Sequence, residues 1–304
     1  MRRNIPVALI IACAAPLTAQ SPSSQPIDRG WAVAPTASIR FSGSVGRLRI
    51  IGWDRDSLAV VGTVPVGARF EAGIASSPRA GERPASAKMY LEAADDAVAS
   101  TATLEFRVPR RSRVWVKSGT ADVELRDFEG GADLNVIGGR VVVVGSPREL
   151  QVGAMDADVD VKGSPNWLRV KTATGTITVR GGSTDAALAT VSGGIRLEGA
   201  GGALERARFE TVSGPISVND IVLARSADVV IDSHSGAVNL VVPPGTDFEI
   251  AATSVVGSIE NRFDARRPLA GREGRGAELN ISRGSGGARI TIGTFKGTIT
   301  LTAP

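Results

Sequence analysis

The sequence predicts an all-β protein built as a β-solenoid-like stack of short strands, and three observations carry that expectation. Glycine accounts for 36 of 304 residues while aromatics make up only 4%, a balance that suits short strands joined by tight turns. Apolar and polar residues alternate at a period of two through segments too short for helices. A motif of small hydroxyl residue, glycine and two aliphatics recurs as TATGTITV (Thr172 to Val179), TVSGGIRL (Thr190 to Leu197), TVSGPISV (Thr211 to Val218) and SHSGAVNL (Ser233 to Leu240).

Aligned on the central glycine, the motif gives Gly175, Gly193, Gly214, Gly236 and Gly257, separated by 18, 21, 22 and 21 residues, with weaker earlier copies at Gly119 and Gly139. A period in this range signals a solenoid. Two and four positions after the glycine stand aliphatics such as Ile177 and Val179, alternating with polar residues such as Thr178. Five and seven positions before it stand two further columns, Val170, Leu188, Phe209, Ile231, Ala252 and Leu168, Ala186, Ala207, Val229, Ile250. Each repeat is therefore strand, turn, strand, turn, with no room for a helix. The turn glycines are expected to supply positive φ. Thr172, Thr190, Thr211 and Ser233, three before the glycine, form a hydroxyl column. In-register parallel stacking explains why whole columns recur, whereas the alternative, an antiparallel β-sandwich, needs no such identity.

Around this array the chain divides into four parts. Residues 1–19 (MRRNIPVALIIACAAPLTA) have two arginines, an apolar run and small residues, the layout of a secretory signal peptide. Cys13 in IIAC is the only cysteine and a candidate for lipidation. Residues 20–34 read as a flexible leader, 35–116 as an N-terminal β capping region, and 117–304 as the repetitive solenoid, with GTITL (Gly297 to Leu301) closing its far end and an irregular insert from Arg262 to Gly276 bulging outside. No later stretch is apolar enough for a transmembrane span. The expected location is outside the cytoplasm: periplasmic, outer-membrane-associated or extracellular.

The early unit GRLRIIGWD, the transition VPRRSRVWVKSGTADVEL and the repeated T-x-S-G-x-I-x-V units together resemble the bacterial putative-adhesin family of exported proteins. The resemblance covers most of residues 35–301. It implies attachment or an envelope role and carries no catalytic or binding residues with it.

Chemistry-bearing constellations are sparse. His234 is the only histidine, so neither a catalytic triad nor a zinc site has its parts, and no cofactor is expected. Asp156, Asp158 and Asp160 alternate along one segment; they could gather calcium or act on a glycosidic bond, but an outward solvated face is the better reading. The net charge is +4 with arginine far in excess of lysine. Arg107, Arg110, Arg111 and Arg113 form a candidate patch for an anionic ligand, and Arg266, Arg267 and Arg272 cluster in the later insert. Nucleic-acid binding lacks the aromatic interleaving it requires. The expectation is a non-enzymatic envelope protein that binds a cell-surface glycan or another envelope protein. An envelope-stress sensor and a carbohydrate-active enzyme are the alternatives.

Overall fold

The computed structural model describes residues 24–304 apart from 76–80, 200–201, 243–244, 246 and 272–273. Cys13 and residues 1–19, expected to be a signal peptide, lie outside the described residues. The architecture is a β-solenoid-like stack of two-stranded rungs, each a strand, a sharp corner and a second strand. In chain order the rungs are β2 (Ser38–Ser42) with β3 (Arg47–Trp53), and β6 (Ser86–Glu92) with β7 (Thr103–Pro109), joined by the one-turn helix α1 (Asp96–Ala99). Next come β8 (Arg113–Arg126) and β9 (Gly131–Val144), each long enough to run round its own corner. The array continues as β10 (Glu149–Ala154) with β11 (Asp158–Gly163), β12 (Trp167–Lys171) with β13 (Ile177–Gly181), and β14 (Asp185–Thr190) with β15 (Ile195–Glu198). After these come β16 (Ala203–Thr211) with β17 (Ile216–Asn219), and β18 (Val222–Ser233) with β19 (Val238–Val241). The last two are β20 (Phe248–Ser254) with β21 (Ile259–Arg262), and β24 (Ala288–Thr294) with β25 (Ile299–Thr302).

Equivalent strands pair in parallel and in register, so the first strands build one sheet and the second strands another, with the core between them. Leu188 pairs with Val170 on one side and Phe209 on the other, and Ile195 stands between Ile177 and Ile216. Val170, Leu188, Phe209, Ile231, Ile177, Ile195 and Ile216 are all buried. Each such side chain contributes about 1.5–3 kcal/mol by leaving water, and the period of two sends the intervening residues outward.

Rung order departs from chain order at both ends. β2 and β3 sit between the β6/β7 rung and β8. At the other end β24 lies between β18 and β20, and β25 between β19 and β21. The segment GTITL therefore does not close the stack; it fills the penultimate rung, and the Gly257 rung is outermost. Antiparallel strands finish the ends. β4 (Ser57–Pro65) pairs with β7 and with β1 (Ser24–Ala32), and β5 (Arg69–Ile74) pairs with β6. β23 (Ala277–Arg283) covers β20 and carries β22 (Leu269–Ala270). Antiparallel covers keep parallel edges from recruiting other chains.

Two segments expected to be irregular have defined structure in their described residues. Most of the leader read as flexible is β1, held along its length by β4, because Ile27 has a core to enter. The first part of the insert after Arg262 is tied down: Asn261 Nδ2 donates to Asp264 Oδ1 at 2.6 Å and to the Arg266 carbonyl at 2.9 Å, and Phe263 packs on Phe248.

The corner glycines also play a different part from the one expected. Gly175, Gly193, Gly214, Gly236 and Gly257 do not adopt positive φ. They are required by close approach: a Cβ on Gly193 would lie 2.0 Å from the Gly175 carbonyl oxygen, and one on Gly236 1.8 Å from that of Gly214. Gly139 shares the column, with φ 96°. Gly119 does not; Ala121 pairs with Gly139 in its place, and Gly119 faces the side chain of Ser44. Ala157 holds the column between Gly139 and Gly175, since a Cβ on Gly175 would meet the Ala157 carbonyl oxygen. The hydroxyl column caps each corner from inside. Buried Thr172, Thr190 and Thr211 accept the N–H of Gly175, Gly193 and Gly214 at 3.2, 3.1 and 3.0 Å.

Candidate functional site

Both outward sheet faces carry charges paired across rungs. On the second sheet, Asp160 is nearly buried and takes Arg180 at 2.7 Å, with Arg140 and Lys162 each at 3.6 Å. Of the solvated carboxylate row expected there, Asp156 and Asp158 are exposed, and Asp160 is the exception. Asp158 accepts the Thr176 N–H at 2.8 Å, and Asp156 accepts the Thr174 hydroxyl at 2.9 Å from a turn before the strand begins. These bonds stitch one rung to the next. Among the described residues no group of three or more histidine, cysteine, aspartate or glutamate side chains could hold a metal ion.

The first sheet's outer face holds a groove of about 500 Å³ where β10, β12, β14 and β16 meet the return turns before them. Parallel register builds it. Glu149, Trp167, Asp185 and Arg206 occupy successive rungs of one outward column, each paired with the next, at the interstrand spacing of about 4.8 Å. Trp167 is half-buried, and its indole lies under the Arg169 guanidinium, 4.5 Å from Cζ to ring centroid. The carboxylates flanking it are clamped by arginines. Glu149 takes Arg113 at 3.5 Å and Arg148 at 3.8 Å, and Asp185 takes Arg169 at 2.6 Å and Arg206 at 2.8 Å. Burial pushes the Asp185 pKa up, but hydrogen bonds from Arg169 and Arg206 outweigh it and hold the carboxyl below its ordinary value.

A second groove, of about 420 Å³, lies further along the same face. Arg40, Lys88, Tyr90 and Trp115 line it. Arg113 and Trp115 share β8, so the two grooves adjoin.

A different surface runs along the corners. The residue two before each corner glycine points out: Val191 is 52% exposed and Val212 47%, and Met155, Ile137 and Phe295 line up with them through backbone hydrogen bonds between rungs. His234 belongs to this ridge. It is exposed and stacks on Phe295, with ring centroids 5.1 Å apart and planes 5° apart.

The four arginines read as one patch are dispersed. Arg107 faces out from β7 and pairs with Glu105, Arg110 turns to Asp54 at 2.8 Å, and Arg111 stands exposed in the turn. Arg113 alone lines the groove. In the later insert Arg266 pairs with Asp264 and Arg262 with Glu260, while Arg272 lies outside the described residues. Glu149, Trp167, Asp185 and Arg206 escaped the sequence reading although they are 18, 18 and 21 residues apart, the spacing of the repeat itself.

The fold is thus a parallel two-sheet solenoid with ion-paired faces and an aromatic groove on one of them. The family model described as Toastrack DUF4097 matches residues 102–302, and the chain belongs to that family. Three solved structures are similar across most of their length. The first is a putative cell adhesion protein from Clostridium sporogenes (10% identity, TM-score 0.29, covering 92% of this chain and 100% of that one). The second is a putative adhesin from Bacteroides fragilis (13%, 0.37, 92% and 97%). The third is a putative lipid binding protein from Parabacteroides distasonis (13%, 0.40, 91% and 96%). No curated protein matches the chain.

Proposed function

We propose that this chain is a non-enzymatic protein of the cell envelope, exported by its N-terminal signal segment, that serves as an adhesin or surface scaffold and attaches through the outer face of its first sheet to a glycan or another envelope component. The observation that carries this reading is the Trp167 groove, an aromatic plate with paired polar groups on either side, open on a rigid sheet. Small, well-placed polar groups around an aromatic surface are the usual make-up of a recognition site.

Hydrolysis of a glycosidic bond needs one carboxyl group that keeps its proton near neutrality and a second that is ionised. In the groove Asp185 is held ionised by two arginines, which favours binding over acid catalysis. Asp156 and Asp158 are engaged with the adjoining rung.

Incubating the purified protein with cell-envelope fractions and assaying it against a panel of polysaccharides tests the reading. Retention by an envelope fraction without cleavage is expected. Absence of retention, or turnover abolished by Asp158→Asn, would overturn it.

A further inference from the structure

Resting on that reading, we infer that the groove around Trp167 is a subsite for an acidic polysaccharide, a linear chain whose sugar units carry carboxylates.

Three features of the groove converge on this ligand. The first is charge. Four guanidinium groups, Arg113, Arg148, Arg169 and Arg206, share only two carboxylates, Glu149 and Asp185. Each guanidinium has five N–H donors, and Arg113, Arg148 and Arg206 are about seven-tenths exposed, with side-chain exposures of 70%, 73% and 68%. Their pairing with acids fixes their positions without exhausting their donors. A fixed guanidinium presents a fork that matches a carboxylate.

The second feature is the indole. Trp167 sits between the two acid clusters in the same column. Arg169 covers one face of its half-buried ring, and the ring surface that still lines the groove offers a sugar's apolar C–H face a contact at little entropic cost; no acceptor for its Nε1–H occurs among the described residues. That donor is not buried either, since the buried unsatisfied side-chain atoms are Ser112 Oγ and Ser118 Oγ.

The third feature is repetition. The groove is open along the stack, and the neighbouring groove repeats its chemistry with Trp115 and Tyr90 beside two cations, Arg40 and Lys88, and one carboxylate, Glu71. From Trp115 on β8 to Trp167 on β12 the sheet advances by three strands, through β9 and β10, or about 14 Å. A polymer whose sugar rings advance by roughly one rung could lie along both grooves, whereas an isolated anion would use only one.

Polygalacturonate is the probe, with dextran as a neutral glycan and poly-glutamate as an acidic chain without sugar rings. Calorimetry and tryptophan fluorescence on the purified protein should show saturable binding of polygalacturonate that weakens with salt, little binding of dextran, and much weaker binding of poly-glutamate. Arg113→Ala and Arg206→Ala should each weaken polygalacturonate binding about tenfold, the effect of losing one charge-assisted contact. Trp167→Ala should weaken it at least as much and Trp167→Phe much less, with binding measured well below each variant's own melting temperature to separate binding from folding. Equal affinity for poly-glutamate, or binding indifferent to Arg113→Ala and Arg206→Ala, would overturn the inference. Envelope retention that survives in the Arg113→Ala/Arg206→Ala double variant and resists competition by polygalacturonate would defeat this subsite and leave the attachment reading standing. Absence of retention in the unaltered protein would defeat attachment itself.

Discussion

Gly214 lies directly against the carbonyl of Gly193: a Cβ at position 214 would come within 1.7 Å of that oxygen. The contact sits between backbones, so no side chain can swing aside to relieve it. Gly214→Ala is therefore expected to lower the unfolding free energy by about 1–3 kcal/mol, measured by chemical denaturation. Ala157 occupies the same column two rungs before Gly193, so a Cβ fits where neighbouring rungs are spaced for it. An unchanged midpoint for Gly214→Ala would mean that the stack relaxes as freely there.

Thr211 Oγ1 accepts the Gly214 N–H at 3.0 Å inside the corner. Thr211→Val keeps the volume and leaves that amide without a partner, at a cost of about 1–3 kcal/mol. Thr211→Ser should be nearly neutral, as Ser254 makes the same bond to Gly257 at 3.1 Å. Hydrogen exchange at the Gly214 amide would accelerate in the valine variant and not in the serine variant.

Asp185 binds its proton less tightly in the folded protein than in the unfolded chain. Its stabilising effect is complete above the unfolded value of about 3.9 and fades as pH falls through the lower folded value. Asp185→Asn should therefore be less stable than the parent at neutral pH and show a shallower loss of stability on acidification below about pH 4. Parallel denaturation curves at each pH would check this, and an identical acid slope for the two proteins would contradict it.

Val212 and Ile216 stand four residues apart, the one 47% exposed on the corner ridge and the other fully buried. Val212→Ser should change stability by no more than about 0.5 kcal/mol. Ile216→Ala should cost about 2–5 kcal/mol through the cavity it leaves.

The columns of this fold were legible because parallel stacking in register turns a structural constraint into a sequence period. Val170, Leu188, Phe209 and Ile231 are neighbours both in the alignment and in space. The rung containing Ala157 escaped notice because alanine replaces its marker glycine. The order of the last rungs was hidden for another reason: TFKGTITL (Thr294 to Leu301) carries the motif, but nothing local says that it enters between β18 and β20. Corner glycines were recognisable as such, yet their cause was not, since close approach and positive φ leave the same residue type behind. The groove was the least visible part, because Arg113 and Arg206 are remote in sequence and come to line one groove only through the stacking.

The inverted order of the last two rungs gives residues 288–302 a particular task. Strands β18 and β20 can both be in place while the gap between them is still vacant, and only residues 288–302 bridge it. A chain emerging from its N-terminus therefore cannot complete this part of the stack until residues 288–302 arrive and wedge themselves inward. Until then two facing rows of backbone donors and acceptors lack their partner, which makes the interval before they arrive the stage of greatest exposure to misassembly.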